Sequence, residues 1–198
     1  KDDVCNIVDG SPDLWSATGT RYENRDPRLK ATLYLPGMTW GSADWNYGGS
    51  AASFSTVYVL KYFNPALGWS TSWDSGQDFY LIRYAEVLLS LAEAYIEKNQ
   101  NLDEAVKLID EVRQRAGMPT VEAVEGTGLS QEKLREVVRH ERRVELAFEG
   151  LRLFDLYRWH TLKEAVDNIN NEASTYKFAY EFRNYKGEQE YVWPIPHQ

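Results

Sequence analysis

Apolar positions follow two different rules along this chain, and the change comes near residue 77. From Asp78 onward Leu81, Tyr84, Leu88, Ala92 and Tyr95 recur at three- and four-residue steps and mark one face of a helix predicted over Asp78 to Lys98. A second helix is predicted from Asn101, with Glu104 three residues on as a capping box and Leu102, Ala105, Ile109, Val112 and Ala116 at helical spacing. Gly117 and Pro119 are expected to end it. Ser130 caps a third helix, with Glu132 in its first turn and Leu134, Val137 or Val138, Val144 and Phe148 inward, and Gly150 stops it. Leu151 to Trp159 suits a short fourth helix, and Leu162, Ala165, Val166 and Ile169 continue the period. Beyond Ser174 the chain is expected to be extended, because prolines 194 and 196 disfavour helix at and before themselves.

Residues 1 to 77 carry no sustained period. They hold eight of the thirteen Gly, four of the seven Pro and five of the seven Trp, the composition of long loops. Ser53 to Phe63, rich in β-branched and aromatic residues, suits one or two half-buried strands. The expected organisation is a loop-rich aromatic segment, 1–77, and a helical segment, 78–198, both parts of one domain. The first two helices, joined by so short a turn, must lie antiparallel, and Leu91-Ala92 with Tyr95 resemble the first helix of a tetratricopeptide-type hairpin.

Composition narrows the function. A net charge of -8 opposes binding to phosphate backbones, so a nucleic-acid partner is not expected. The lone Cys5 cannot build a disulfide, zinc or iron-sulfur site with a second thiolate of this chain. No apolar run approaches the roughly 20 residues a membrane span needs.

Motifs for catalysis fail one by one. His140-Glu141 opens like a zinc-protease helix, but Val144 stands where the second histidine belongs. His140, His160 and His197 read as surface or packing residues, and neither a nucleophile elbow nor a phosphate-binding Gly loop is present. Thirty acidic residues offer many carboxylate pairs for glycoside hydrolysis, with nothing to single one out. No cofactor or metal is expected.

Four ordered segments resemble one family: Glu23-Asn24-Arg25-Asp26-Pro27-Arg28-Leu29, Leu81 to Leu88, Val112 to Met118, and Glu141 to Arg152. Leu153 to Trp159 and Pro194-Ile195-Pro196 extend the likeness, which is to the C-terminal part of SusD/RagB-type nutrient-binding outer-membrane lipoproteins. The resemblance implies a mainly α fold, a SusD-like superhelix of tetratricopeptide-like hairpins with long loops and a few short strands. It also implies a non-catalytic protein at the cell surface that captures an oligosaccharide or polysaccharide and passes it to a SusC-type TonB-dependent transporter. The membrane would be reached only through an N-terminal lipid anchor outside this chain, and Cys5, with no apolar segment before it, is not expected to carry that lipid. Peptide capture by a sister specificity, a tetratricopeptide-like interaction module and a glycosidase are the alternatives.

On bottom-up grounds the motif charges Glu141, Arg142, Arg143, Glu145, Glu149, Arg152, Asp155 and Arg158, spaced three or four apart, read as an ion-pair network between helices. Asn24 to Pro27 reads as turn chemistry.

Seven Trp and thirteen Tyr exceed what a core of this size needs. A sugar presents an apolar C–H face and a rim of hydroxyls, so its site needs flat rings beside planar hydrogen-bonding groups. Trp40, Asp44, Trp45, Asn46 and Tyr47 sit together among Gly41, Gly48 and Gly49, and Trp69 and Trp73 with Asp74 form a second cluster. These seven, Trp40, Asp44, Trp45, Asn46, Tyr47, Trp69 and Trp73, are the expected ligand-binding residues, with Trp15 and Tyr34 weaker candidates. The competing reading is a secondary core of tryptophans under long loops. Trp159 and Trp193 are expected to pack.

Overall fold

The computed structural model describes residues 25–34, 58–64, 76–176 and 183–192. They form α1 (Arg28–Thr32), β1 (Leu33–Tyr34), β2 (Tyr58–Val59), α2 (Tyr84–Glu97), α3 (Leu102–Arg115), α4 (Val121–Glu125), α5 (Gln131–Glu145), α6 (Arg152–Arg158), α7 (Leu162–Tyr176) and a final 3-10 turn, Glu188–Tyr191. The chain divides into two compact units at Glu149/Gly150. Both are mainly helical.

In the first unit α2 and α3 form the antiparallel hairpin, and α5 packs across both. Leu89, Ala92 and Ile96 of α2 meet Ala105 and Ile109 of α3 and Val138 of α5 in a core closed to solvent. The hairpin turn is tight because Asn99 and Asn101 both adopt left-handed backbone (φ 51 each), a region that asparagine tolerates better than most residues. This replaces the expected capping box. Asn101 makes no side-chain cap, and the first turn of α3 is held by its carbonyl, which accepts from the Glu104 and Ala105 N–H groups.

The C-terminus of α3 closes in a Schellman arrangement. Gly117 (φ 76) donates its N–H to the Gln114 carbonyl while Met118 donates to Arg113. Thr120 then caps the short α4, which the sequence reading missed, and Asp110 Oδ1 accepts from Val121 N–H at 2.7 Å. Ser130 caps α5 as predicted, its hydroxyl accepting from Lys133 N–H.

Other expectations need correction as well. Helix α2 begins at Tyr84, not Asp78, and its buried face is Ala85, Leu88, Leu89, Ala92 and Ile96; Leu81 is 88% exposed and Tyr84 67%. The reason is tertiary: Arg83, in extended conformation, turns its guanidinium to the end of α5 instead of continuing a helix. Helix α5 stops at Glu145, five residues before Gly150, so Val144 is half-buried and Phe148 (φ 63) is exposed while Leu146 takes the buried place. Tyr34, a weaker sugar-contact candidate, is buried in β1 at 1% exposure.

β1 pairs antiparallel with β2, Leu33 opposite Val59 and Tyr34 opposite Tyr58. The remainder of the strand region proposed for residues 53–57 lies outside the described residues.

In the second unit α6 and α7 pack together, burying Leu156 and Leu162. Helix α7 runs past the expected Ile169 to Tyr176. The tail is not wholly extended, since Tyr191 in the closing 3-10 turn accepts a hydrogen bond from Leu162 N–H and rests edge-on against Tyr157. Trp159 packs as expected, half-buried, with the Arg158 guanidinium 4.8 Å from its ring centre.

Candidate functional site

Glu141, Glu145 and Glu149 fall four apart, so the first two lie on one stripe of α5 and the third just past its end. Five cations from four remote segments converge on them. Arg28 of α1 reaches Glu141 and, at 2.9 Å, Glu145. Lys61, just after β2, binds Glu149 and the carbonyls of Glu145 and Ala147. Arg83 donates to Glu145 at 2.7 Å and grips both oxygens of Glu149. At the end of α3, Arg113 meets Glu141 and Arg115 holds both oxygens of Glu145.

Asp26 orients the first of these cations. Its Oδ1 accepts from Arg28 N–H at 2.9 Å, the turn chemistry anticipated for this stretch, and both its oxygens take the Arg28 guanidinium.

Protonation follows from this geometry. Burial acts to raise the pKa of Glu145, but hydrogen bonds from Arg28 and Arg83 and the charge of Arg115 outweigh it and hold the carboxyl below its ordinary value. Asp26 is lowered in the same way, burial being outweighed by Arg28. Glu141 goes the other way: burial raises it, and Arg28 and Arg113 offset only part of that. With Glu145 saturated by three arginines, this frame is suited to holding segments together rather than to moving protons.

The frame is the ion-pair network that the motif charges suggested, with different partners. The acidic residues of α5 pair with segments far away in the chain, not chiefly with neighbours on their own helix. Arg28, Lys61, Arg83, Arg113 and Arg115 were not recognised as its members. The available signal was that each family-like segment up to α5 carries an arginine while α5 carries a stripe of glutamates. Arg142 instead turns into the core, where its guanidinium meets Ser90 Oγ at 3.0 Å and Glu93. Asp155 and Arg158 pair within α6.

Beside the frame, Tyr62 adopts a left-handed backbone (φ 77), and its hydroxyl is buried with no hydrogen-bond partner among the described residues. Each of these costs about 1–3 kcal/mol. Lys61 and Arg83, clamped to the same glutamates, hold the segments on either side in place.

Trp40, Asp44, Trp45, Asn46, Tyr47, Trp69 and Trp73 all lie outside the described residues, as do Trp15, Cys5, Trp193, His197 and the Pro-Ile-Pro stretch. Among the described residues no group of three His, Cys, Asp or Glu is arranged to hold a metal ion, and no helix is long and apolar enough to cross a membrane.

A helical hairpin with a third helix laid across it, cinched by ion pairs of glutamate with arginine or lysine drawn from four distant segments, defines a mainly α protein of tetratricopeptide-like construction. The chain belongs to the SusD family, whose model matches residues 15–198. It is 32% identical over 143 residues to SusD-like protein P2 of Formosa agariphila, covering 70% of this chain and 27% of that one. With SusD-like protein P38 of the same organism it shares 33% identity, over 78% of this chain and 32% of the relative. Among solved structures it is similar to a SusD superfamily protein from Bacteroides vulgatus (TM-score 0.60, 27% identity, 83% of this chain and 35% of that one). A SusD-like protein from Bacteroides fragilis gives a TM-score of 0.57 at 30% identity, over 71% of this chain and 29% of that one. The chain therefore spans about a third or less of the length of these relatives.

Proposed function

We propose that this chain belongs to a non-catalytic nutrient-binding protein of the cell surface that captures oligosaccharides and hands them to a SusC-type TonB-dependent transporter. The observation that carries this reading is membership of the SusD family across residues 15–198. The loop-rich stretch from Thr39 to Asp74 supports the glycan half of it: Trp40, Trp45, Trp69 and Trp73 supply flat apolar surfaces, and Asp44, Asn46 and Tyr47 supply hydrogen-bonding groups for a hydroxyl rim. Affinity for a single sugar is expected to be weak, because each hydroxyl exchanges water contacts for protein contacts at little net gain. Residence at the outer membrane through a lipid anchor follows from the same family reading.

A glycan array probed with the parent chain and with Trp40→Ala, Trp45→Ala and Trp69→Ala variants tests the proposal. Binding by the parent that weakens in at least one variant is the expected result. A folded parent that binds no glycan but captures peptides would replace the substrate class, and sugar hydrolysis during incubation would replace the non-catalytic reading.

A further inference from the structure

Three aromatic rings from two separate segments meet on the first unit's surface. Tyr62 and Phe79 stack with centroids 5.1 Å apart and planes 20° apart, and Tyr80 tilts against Tyr62 at 5.6 Å. Phe79 remains 63% exposed and Tyr80 45%. Gln77 donates its side-chain amide to the Tyr80 hydroxyl at 3.3 Å, and Asp78 beside it is exposed. The rings are also held firmly: Lys61, immediately before Tyr62, and Arg83, three residues after Tyr80, are both bound to Glu149 and to the Glu145 backbone carbonyl. A tyrosine kept at φ 77, its buried hydroxyl without a hydrogen-bond partner among the described residues, is the kind of strained residue that persists where surrounding structure fixes it, commonly at a ligand clamp.

An exposed, pre-stacked aromatic cluster edged by a carboxamide and a phenol matches a pyranose ring, apolar on its C–H face and hydroxylated at its edge. We infer that Phe79, stacked on Tyr62, and Tyr80, tilted against the same ring and hydrogen-bonded to Gln77, form a sugar-stacking subsite in addition to the tryptophan clusters between Thr39 and Asp74. The inference rests on the glycan-capture reading and adds a place on the molecule to it.

The test titrates the 198-residue chain and its Phe79→Ala, Phe79→Trp and Tyr80→Ala variants with maltohexaose, cellohexaose, xylohexaose and laminarihexaose, with circular dichroism confirming that each variant is folded. The expected result is an affinity loss of about fivefold or more in Phe79→Ala for the sugar that binds the parent, consistent with the energy of one stacked aromatic contact, and retention in Phe79→Trp. Should Phe79→Ala fail to fold, saturation transfer from selectively labelled phenylalanine rings of the parent to the sugar decides, and its absence refutes the subsite. Parent-like affinity in both alanine variants also refutes the subsite while leaving glycan capture intact. No binding by the parent to any of the four sugars removes both. Alanine variants that change only the sedimentation mass would assign the rings to protein contact and overturn the inference.

Discussion

Arg28 and Glu145 are 117 residues apart in the chain and 2.9 Å apart in the fold. Glu145 is also bound by Arg83 and Arg115, so truncating it takes a carboxylate from three guanidinium groups, of which Arg28 keeps Asp26 and Glu141 and Arg83 keeps Glu149. Glu145→Ala should therefore cost about 3–5 kcal/mol, because a buried frame that already sets five cations against four carboxylates, Asp26 included, loses one of the four and is left with excess positive charge. Arg115→Ala, whose side chain is 59% exposed, should cost under about 1 kcal/mol. Urea unfolding of both variants checks this, and equal losses would contradict the hierarchy.

The three carboxyl groups give the acid limb a particular shape. Glu141, raised above 4.5 by burial, takes up its proton in the folded state before it would in the unfolded chain. As pH falls toward that value its protonation favours folding. Glu145 and Asp26, depressed below 4.5 and 3.8 in the fold, lend stability that is fully present above those values and lost as pH drops through their lower folded pKa values. Glu145→Gln should flatten the acid loss of stability, whereas Glu141→Gln should steepen its onset. Chemical denaturation between pH 3 and 7 would show both, and identical slopes in the two variants would refute the assignment.

Two helix ends make opposite demands on their residues. Asn101 contributes left-handed backbone and no side-chain cap, so Asn101→Gly should be tolerated and Asn101→Ala should cost about 1 kcal/mol. For Ser130, whose hydroxyl does cap α5, alanine should cost about 1 kcal/mol through the lost hydrogen bond. Gly117→Ala meets only Pro27 Cγ at 4.0 Å, so its expected loss of about 1–2 kcal/mol is backbone strain and not collision. Thermal unfolding ranks these variants; a costly Asn101→Gly would restore the side-chain cap.

The buried face of α2 can be tested directly. Leu89→Ala and Ile109→Ala, both at 0% exposure, should each cost about 2–5 kcal/mol. Leu81→Ala should be nearly neutral in the isolated chain, since its side chain is 88% exposed. A large loss from Leu81→Ala would return it to the core face that its spacing suggests.

Periodicity located α3 and α5 because their apolar residues, Ala105, Ile109, Val112, Leu134, Val137 and Val138, are buried on the stripe that a 3.6-residue repeat lays down. Ser130 was legible because a cap acts within its own turn. The start of α2 was not, because Phe79 to Ile82 are as apolar as a helix face, while the ion pairs of Arg83 with the distant Glu145 and Glu149 hold Arg83 in extended backbone and the helix starts after it. The aromatic stack was missed for a related reason: Tyr62 and Phe79 belong to different segments, and neither sits in a cluster that composition makes conspicuous.

The sequence by itself determined that this is a helical member of the SusD family, where its central helices lie, and which residue types are available to hold a sugar. Those properties reside in short-range spacing and in ordered motifs. Only the tertiary structure decided that Arg28, Lys61, Arg83, Arg113 and Arg115 close on one stripe of glutamates, and that Tyr62 underlies Phe79 and Tyr80. Charge pairing and ring stacking act over a few ångströms of space without regard to chain separation, so which arginine meets which carboxylate is fixed only when the helices have packed.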